Sequence, residues 1–533
     1  MLFNSVEFWA FFCVVFCLYY LVRPRYQWMV LLAASFAFYL YGGPRLAVFL
    51  LFSILLTWAA ARKMGENNRR TADVLKARRQ ELSREERKAL QEKNARANRK
   101  WLLLAAAGNL GVLCILKYIG FLAGNLNGLF ALLSVNARVP VVSFALPVGL
   151  SFYTFQSLGY VIDVSRGLYE PERNLARYAL FVSFFPQILQ GPIGRFPQMK
   201  EELFRERTFD SHEIGEGMKL VVWGLFKKLV IADQIGRAVD ACFGDYTSYP
   251  GPGIFLGAVC FTIQLYTDFS GYMDMAQGIS QMLQIRIFRN FRNPFFSRSI
   301  QEFWQRWHIS LGSWFKDYVF YPILKSGFFV SLGKKARSLW GKKAGKDITT
   351  YAGMFCLWFL IGAWHGADWK FIVGSGLLQW FYIVSGRILE PVFSRIKRKL
   401  GIQKAGTADD PRWYQRFQMV RTFLLFAFSM IFFRAATMAD GLAMVRLLFS
   451  GGSLMPLARL VYQNFGSLFC AGVGLCVLFP AEAAQNRGIS IRERISKMNA
   501  RARFVLYAAA LASILIFGTY GITNPSQFIY FQF

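Results

Sequence analysis

Apolar runs of about 17–25 residues recur from one end of this 533-residue chain to the other, and each is long enough to cross a bilayer. That feature limits the chain to an all-α polytopic integral membrane protein. Composition agrees. Apolar residues make up 55% of the chain and charged residues 17%, against roughly 25% charged in a soluble globular domain. A disordered chain, a fibrous one and an ordinary cytosolic enzyme are thereby excluded.

Spans are expected at residues 6–22, 26–41 and 44–61, then at 101–119. Apolar blocks follow near 120–134, 140–162, 175–193, 217–235 and 252–280, with polar and Gly/Pro interruptions that suit re-entrant segments. Cleaner spans occupy 350–366, 369–389, 417–434, 466–480 and 503–521. The first lacks a basic leader, so a retained span is expected rather than a cleaved signal. No convincing internal repeat is visible, which weighs against an inverted-repeat transporter. A single domain over 1–533 is expected, with a core at about 140–390 and C-terminal spans over 417–533.

The net charge of +31 is concentrated in loops. Residues 62–100 carry 14 basic residues, 325–347 seven, 395–421 eight and 487–503 six. Basic loops resist translocation, so these four are placed in the cytoplasm. Alternating the spans from there leaves both termini outside the plasma membrane and puts His365 toward the outer end of its span. Binding of nucleic acid or a coenzyme phosphate by one loop is an alternative. Attraction to anionic lipid accounts for the charge without a specific ligand, and no nucleic-acid partner is expected. Mixed charges at helical spacing in 62–100 predict a solvated helical hairpin or arm. The eight cysteines lie mostly in apolar segments with no CxxC pair, so neither a disulfide framework nor a metal site is expected.

Three histidines occur: His212, His308 and His365. His212 sits at a helix start and is given no role. An ionisable side chain inside a span is a functional candidate, because leaving it there is costly. His365 lies in Ile361-Gly362-Ala363-Trp364-His365-Gly366, where Gly362 and Gly366 would admit a close neighbour. An interfacial histidine in an aromatic belt is the competing reading. The spacing over 303–315 predicts one amphipathic helix, with Trp304, Trp307, Leu311, Trp314 and Phe315 on one face. Gln301, Gln305 and His308 fall on the other. In 264–274, Gln264, Asp268 and Gly271 share a stripe, with Asp274 close behind; a proton path, a buried ion pair and a polar chamber all fit. No GxSxG, phosphate-binding GxxxxGK or HExxH motif occurs. Two intramembrane histidines suit general-base work on a hydroxyl.

Several stretches resemble the membrane-bound O-acyltransferase family. They are Asn293-Pro294-Phe295, Phe303-Trp304, Arg306-Trp307-His308, Asp317-Tyr318 and Trp364-His365-Gly366. Phe184-Phe185-Pro186-Gln187, Gly191-Pro192-Ile193 and 266–272 support the likeness, as do the opening 1–5 and closing 528–533. The resemblance is closest to the alginate O-acetylase membrane subunit. It implies a helical funnel with re-entrant segments and roughly 11–13 membrane helices, in which His365 and His308 are catalytic. Asp268, Trp304, Trp307 and Asn293 are candidates for the substrate channel. An acyl group, expected to be acetyl, would pass from a cytosolic thioester to an exported polysaccharide. The donor would be acetyl-CoA or an acyl carrier protein, with no permanently bound cofactor. An extracytoplasmic partner of SGNH-hydrolase type would relay the group. The alternatives are D-alanyl transfer to teichoic acid and a non-enzymatic transporter or scaffold.

Overall fold

The computed structural model describes residues 1–402, 411–450 and 453–520. The closing segment 528–533 and part of the basic loop 395–421 lie outside the described residues. Among the described residues the regular structure is helix alone, with no strand. Eight helices among the described residues are long and apolar enough to cross a membrane, and a bent pair, Met438–Ser450 with Met455–Gln463, would make nine. Other apolar helices are shorter, such as Val6–Leu21 with 16 residues and Gln27–Tyr41 with 15. These two lie where the spans at 6–22 and 26–41 are expected, and the long apolar helices described are fewer than the roughly 11–13 that the resemblance implies. Large apolar side chains stand exposed along the long helices: Leu103, Leu104, Ile115 and Leu122 on one, Val505, Leu511 and Leu515 on another. Surfaces of that kind require lipid.

The chain divides into two compact units. The first comprises Met1–Ile214 with Ile279–Phe288. Its helices Ala47–Ala77 and Arg84–Leu132 run well past their apolar stretches and pair as a hairpin. This is the arm expected from the charge pattern. Ser83 and Glu86 form a reciprocal capping box at its turn, 2.8 and 3.2 Å. The seam is polar: Asn67 donates to Asn98 at 3.0 Å, and Asn94 and Asn98 both donate to Asn68, at 2.8 and 2.7 Å. Asn68 in turn donates to the Val164 carbonyl. Polar seam residues fix the register of paired helices at some cost in stability. The apolar block expected near 120–134 is no separate element, because the helix continues unbroken to Leu132. Gly120 permits this. A Cβ there would meet the Val142 carbonyl oxygen at 2.8 Å, so the glycine gives the chain returning over 139–142 room to pass.

The second unit comprises Gly215–Gly278 and Arg289–Phe533. Its apolar core runs through Ile231, Ile254, Phe261, Trp307, Phe371, Phe426 and Phe433. Three stretches have π-helical turns: Phe226–Ala232, Lys316–Phe320 and Lys370–Leu377. Helix Gly327–His365 folds back on itself at Gly341, whose φ of 83° lies in the left-handed region. A Cβ on Gly345 would meet Arg337, and one on Gly333 would meet Thr349. The basic stretch 325–347 is thus a second helical hairpin, and the span proper is its C-terminal arm.

Candidate active site

His365 ends the helix that begins after Gly341, and the glycines on either side determine what packs against it. A Cβ on Gly362 would sit 2.6 Å from the Phe371 carbonyl oxygen, and one on Gly366 would sit 2.2 Å from the Phe371 ring. The π-helical segment Lys370–Leu377 therefore lies directly against the histidine helix, the close approach that Gly362 and Gly366 led us to expect. Gly362→Leu should overpack this contact at a cost of about 1–3 kcal/mol. Thermal unfolding of the purified protein should show a lowered midpoint, and an unchanged midpoint would mean that the contact is not tight.

A small apolar pocket, partly open, lies beside His365. Leu265, Trp304, Trp307, Trp358, Phe426 and Phe433 are among its walls. The His365 ring meets Phe433 edge-on with centroids 5.3 Å apart. Trp304 is fixed from behind by a relay: its indole N–H donates to Gln379 at 3.2 Å, and Gln379 donates to Ser429 at 2.8 Å. The two tryptophans proposed for the channel thus line the same cavity as His365.

His308 is 1% exposed, and its ring packs on Trp364 at 5.8 Å and on Phe269 at 4.9 Å. Trp364 also contacts His365 at 4.9 Å, so one indole touches both imidazoles. The backbone around His308 differs from the single helix expected over 303–315. Helix Ile300–Arg306 stops, His308 takes φ 45° and ψ 52°, and Ile309–Phe315 begins anew. The cause is the neighbouring loop. Asn290 accepts the Ile309 N–H on its carbonyl at 3.0 Å and the Ser310 N–H on its side chain at 2.9 Å. Those donors are the free ones of a helix N-terminus. The break turns His308 away from the face it would have shared with Gln301 and Gln305. Asn290 had no individual signal in the sequence, since its role depends on meeting a segment 18 residues on.

Asp268 and Asn293 are engaged elsewhere. Asp268 accepts from Lys228 at 2.7 Å, and Lys228 also pairs with Asp233 at 2.8 Å; both Lys228 and Asp268 are 1% exposed. Next to this triad Lys227 pairs with Asp274 at 2.5 Å and donates to Ser270 at 3.0 Å. The polar stripe at 264–274 is therefore an ion-pair seam, the second of its three readings. Glycines draw its two helices together, for a Cβ on Gly271 would meet the Gly224 carbonyl oxygen at 2.8 Å. Tyr266 donates to Glu482 from the same helix. Asn293 donates to the Glu482 carbonyl at 3.1 Å and takes φ 46°, which makes it a tie between the loop and helix Phe465–Asn486. Neither Asp268 nor Asn293 is among the residues lining the cavity. His212 begins helix Ser211–Leu225, its N–H bonded to Asp210 at 2.9 Å.

A multi-pass membrane protein that brings an imidazole to a partly open apolar pocket, with a second imidazole one indole away, has the parts for proton transfer away from bulk water. No family model matches the chain. Among curated proteins it is 34% identical over 458 residues to alginate O-acetylase AlgI of Pseudomonas aeruginosa, covering 85% of this chain and 76% of that protein. To the Azotobacter vinelandii AlgI it is 34% identical over 485 residues, 90% and 84% of the two chains. A teichoic acid D-alanyltransferase of Bacillus subtilis is 30% identical over 230 residues, 42% of this chain and 55% of that one. The chain belongs to the membrane-bound O-acyltransferase family, in its alginate O-acetylase branch, and is an O-acyltransferase.

Proposed function

We propose that the protein moves an acetyl group from a cytosolic thioester to hydroxyl groups of an exported polysaccharide. The observation that carries this reading is the extent of the relationship, since identity to the alginate O-acetylases runs over 85–90% of the chain. The D-alanyltransferase match spans less than half of it.

In this reading His365 takes the proton of the acceptor hydroxyl as its oxygen attacks the thioester carbonyl. A C–O bond forms, the C–S bond breaks, and the departing thiolate is protonated to the free thiol. His308 assists by polarising the thioester or sharing the proton. The apolar walls, Trp304 and Trp307 among them, keep water from the thioester. Acetyl-CoA or an acylated carrier protein would supply the donor from the cytoplasmic side, where the basic loops would lie. The termini would then be outside, and an SGNH-type partner there would relay the acyl group to polymer.

The test compares ester-linked acyl groups on surface polymer from cells with and without the gene. Mild base should release acetate from wild type and little from the deletion strain, as identified by mass. Loss of D-alanine with acetate unchanged would replace this reading with teichoic acid D-alanylation.

A further inference from the structure

Asn290 is 1% exposed, and its side-chain oxygen is a shared acceptor. It takes the Ser310 N–H and the Ser310 hydroxyl, each at 2.9 Å, and lies 3.4 Å from Nδ1 of His308. Its amide nitrogen faces the Met273 sulfur at 3.5 Å. The orientation of the amide follows from chemistry: a backbone N–H can only donate, so the atom facing Ser310 N must be the oxygen. An acceptor oxygen 3.4 Å from Nδ1 favours the proton on that nitrogen, and a neutral imidazole with a proton on Nδ1 carries its lone pair on Nε2. Asn290 also holds the Ile309 N–H through its own carbonyl. It thereby supports the left-handed backbone at His308, a conformation that costs about 1–3 kcal/mol in a non-glycine residue.

We propose that Asn290 is a positioning residue for acyl transfer, holding His308 in the Nδ1–H tautomer so that Nε2 presents its lone pair, the form that shares a proton and does not polarise the thioester. The inference rests on the reading that His308 serves the reaction, but its primary readout does not use activity. The chain has three histidines, so 15N-histidine labelling gives few imidazole signals, and His212→Ala with His365→Ala assigns those of His308 by subtraction. Wild-type protein in lipid nanodiscs should show His308 Nδ1 protonated and Nε2 unprotonated. Asn290→Ala should shift the population toward Nε2–H and lower kcat for acyl transfer about tenfold or more, the direction expected when a catalytic imidazole loses its tautomer. Asn290→Asp, which keeps an acceptor oxygen, should restore the Nδ1–H signal. A wild-type spectrum with Nε2–H overturns the proposal even if every variant fails to fold. Lost activity in Asn290→Ala with the Nδ1–H signal intact also overturns it, leaving a structural role alone. If His308→Ala acylates polymer normally while the Nδ1–H signal stands, the assignment of His308 to the reaction fails and the tautomer assignment survives.

Discussion

His365→Ala should remove acyl transfer almost entirely while leaving the protein in the membrane at its normal level. A positioned general base is worth about 10²–10⁴ in rate, and surface ester should therefore fall to that of the deletion strain. The geometry makes this a test of chemistry rather than folding. His365 is half-buried at the end of its helix, and the tight packing there is carried by Gly362, Gly366 and Phe371, which the substitution leaves in place. His212→Ala is the matched control, an exposed histidine at a helix start far along the chain from any cavity residue. Ester content, protein level by immunoblot and the acyl group by mass complete the measurement. Normal acylation by His365→Ala would remove the base from the mechanism and leave the cavity without a catalytic group assigned to it.

What could be read from the residues was whatever depends on local chemistry. Apolar runs gave the spans, and the mixed charges of 62–100 gave the helical arm. Gly362 and Gly366 announced a close neighbour because a missing Cβ has meaning before the neighbour is known. The stripe Gln264, Asp268 and Gly271 announced a buried polar seam but not its partners. Lys227 and Lys228 lie some 40 residues earlier, in a π-helical turn that shifts the side-chain period of that helix by one residue. Nothing in the local pattern marks such a turn. The break at His308 was hidden for the same reason. Over 303–315 the aromatic spacing is that of one continuous helix, and the loop that captures the Ile309 and Ser310 N–H groups decides otherwise. The cavity is also a product of assembly. Trp304 and Trp307 were on the expected face, whereas Phe426, Met430 and Phe433 come from a helix more than 100 residues away.

The ion-pair seam should be as sensitive to single substitutions as the site is, but in stability rather than rate. Lys228 bridges Asp268 and Asp233 where solvent does not reach. Lys228→Met removes the cation shared by buried Asp268 and half-buried Asp233, and deleting one member of a buried pair costs about 3–5 kcal/mol. The variant should melt well below wild type in detergent and accumulate poorly in membranes. Asp268→Asn should cost less, because Lys228 keeps Asp233 and the amide oxygen still accepts its N–H. Combining Lys228→Met with Asp268→Asn and Asp233→Asn should recover most of the loss, since neutralising every member removes the desolvated charge together with its partner. Thermal unfolding of the four proteins closes the cycle. A Lys228→Met protein as stable as wild type would mean that water or rearranged neighbours satisfy the carboxylates, and the seam would then hold no strain. Recovery in the triple variant with acyl transfer intact would make the seam a structural tie between the π-helical stretch Phe226–Ala232 and helix Pro252–Met282. Recovery of stability without transfer would instead connect these charges to the reaction, which the cavity-lining residues alone do not.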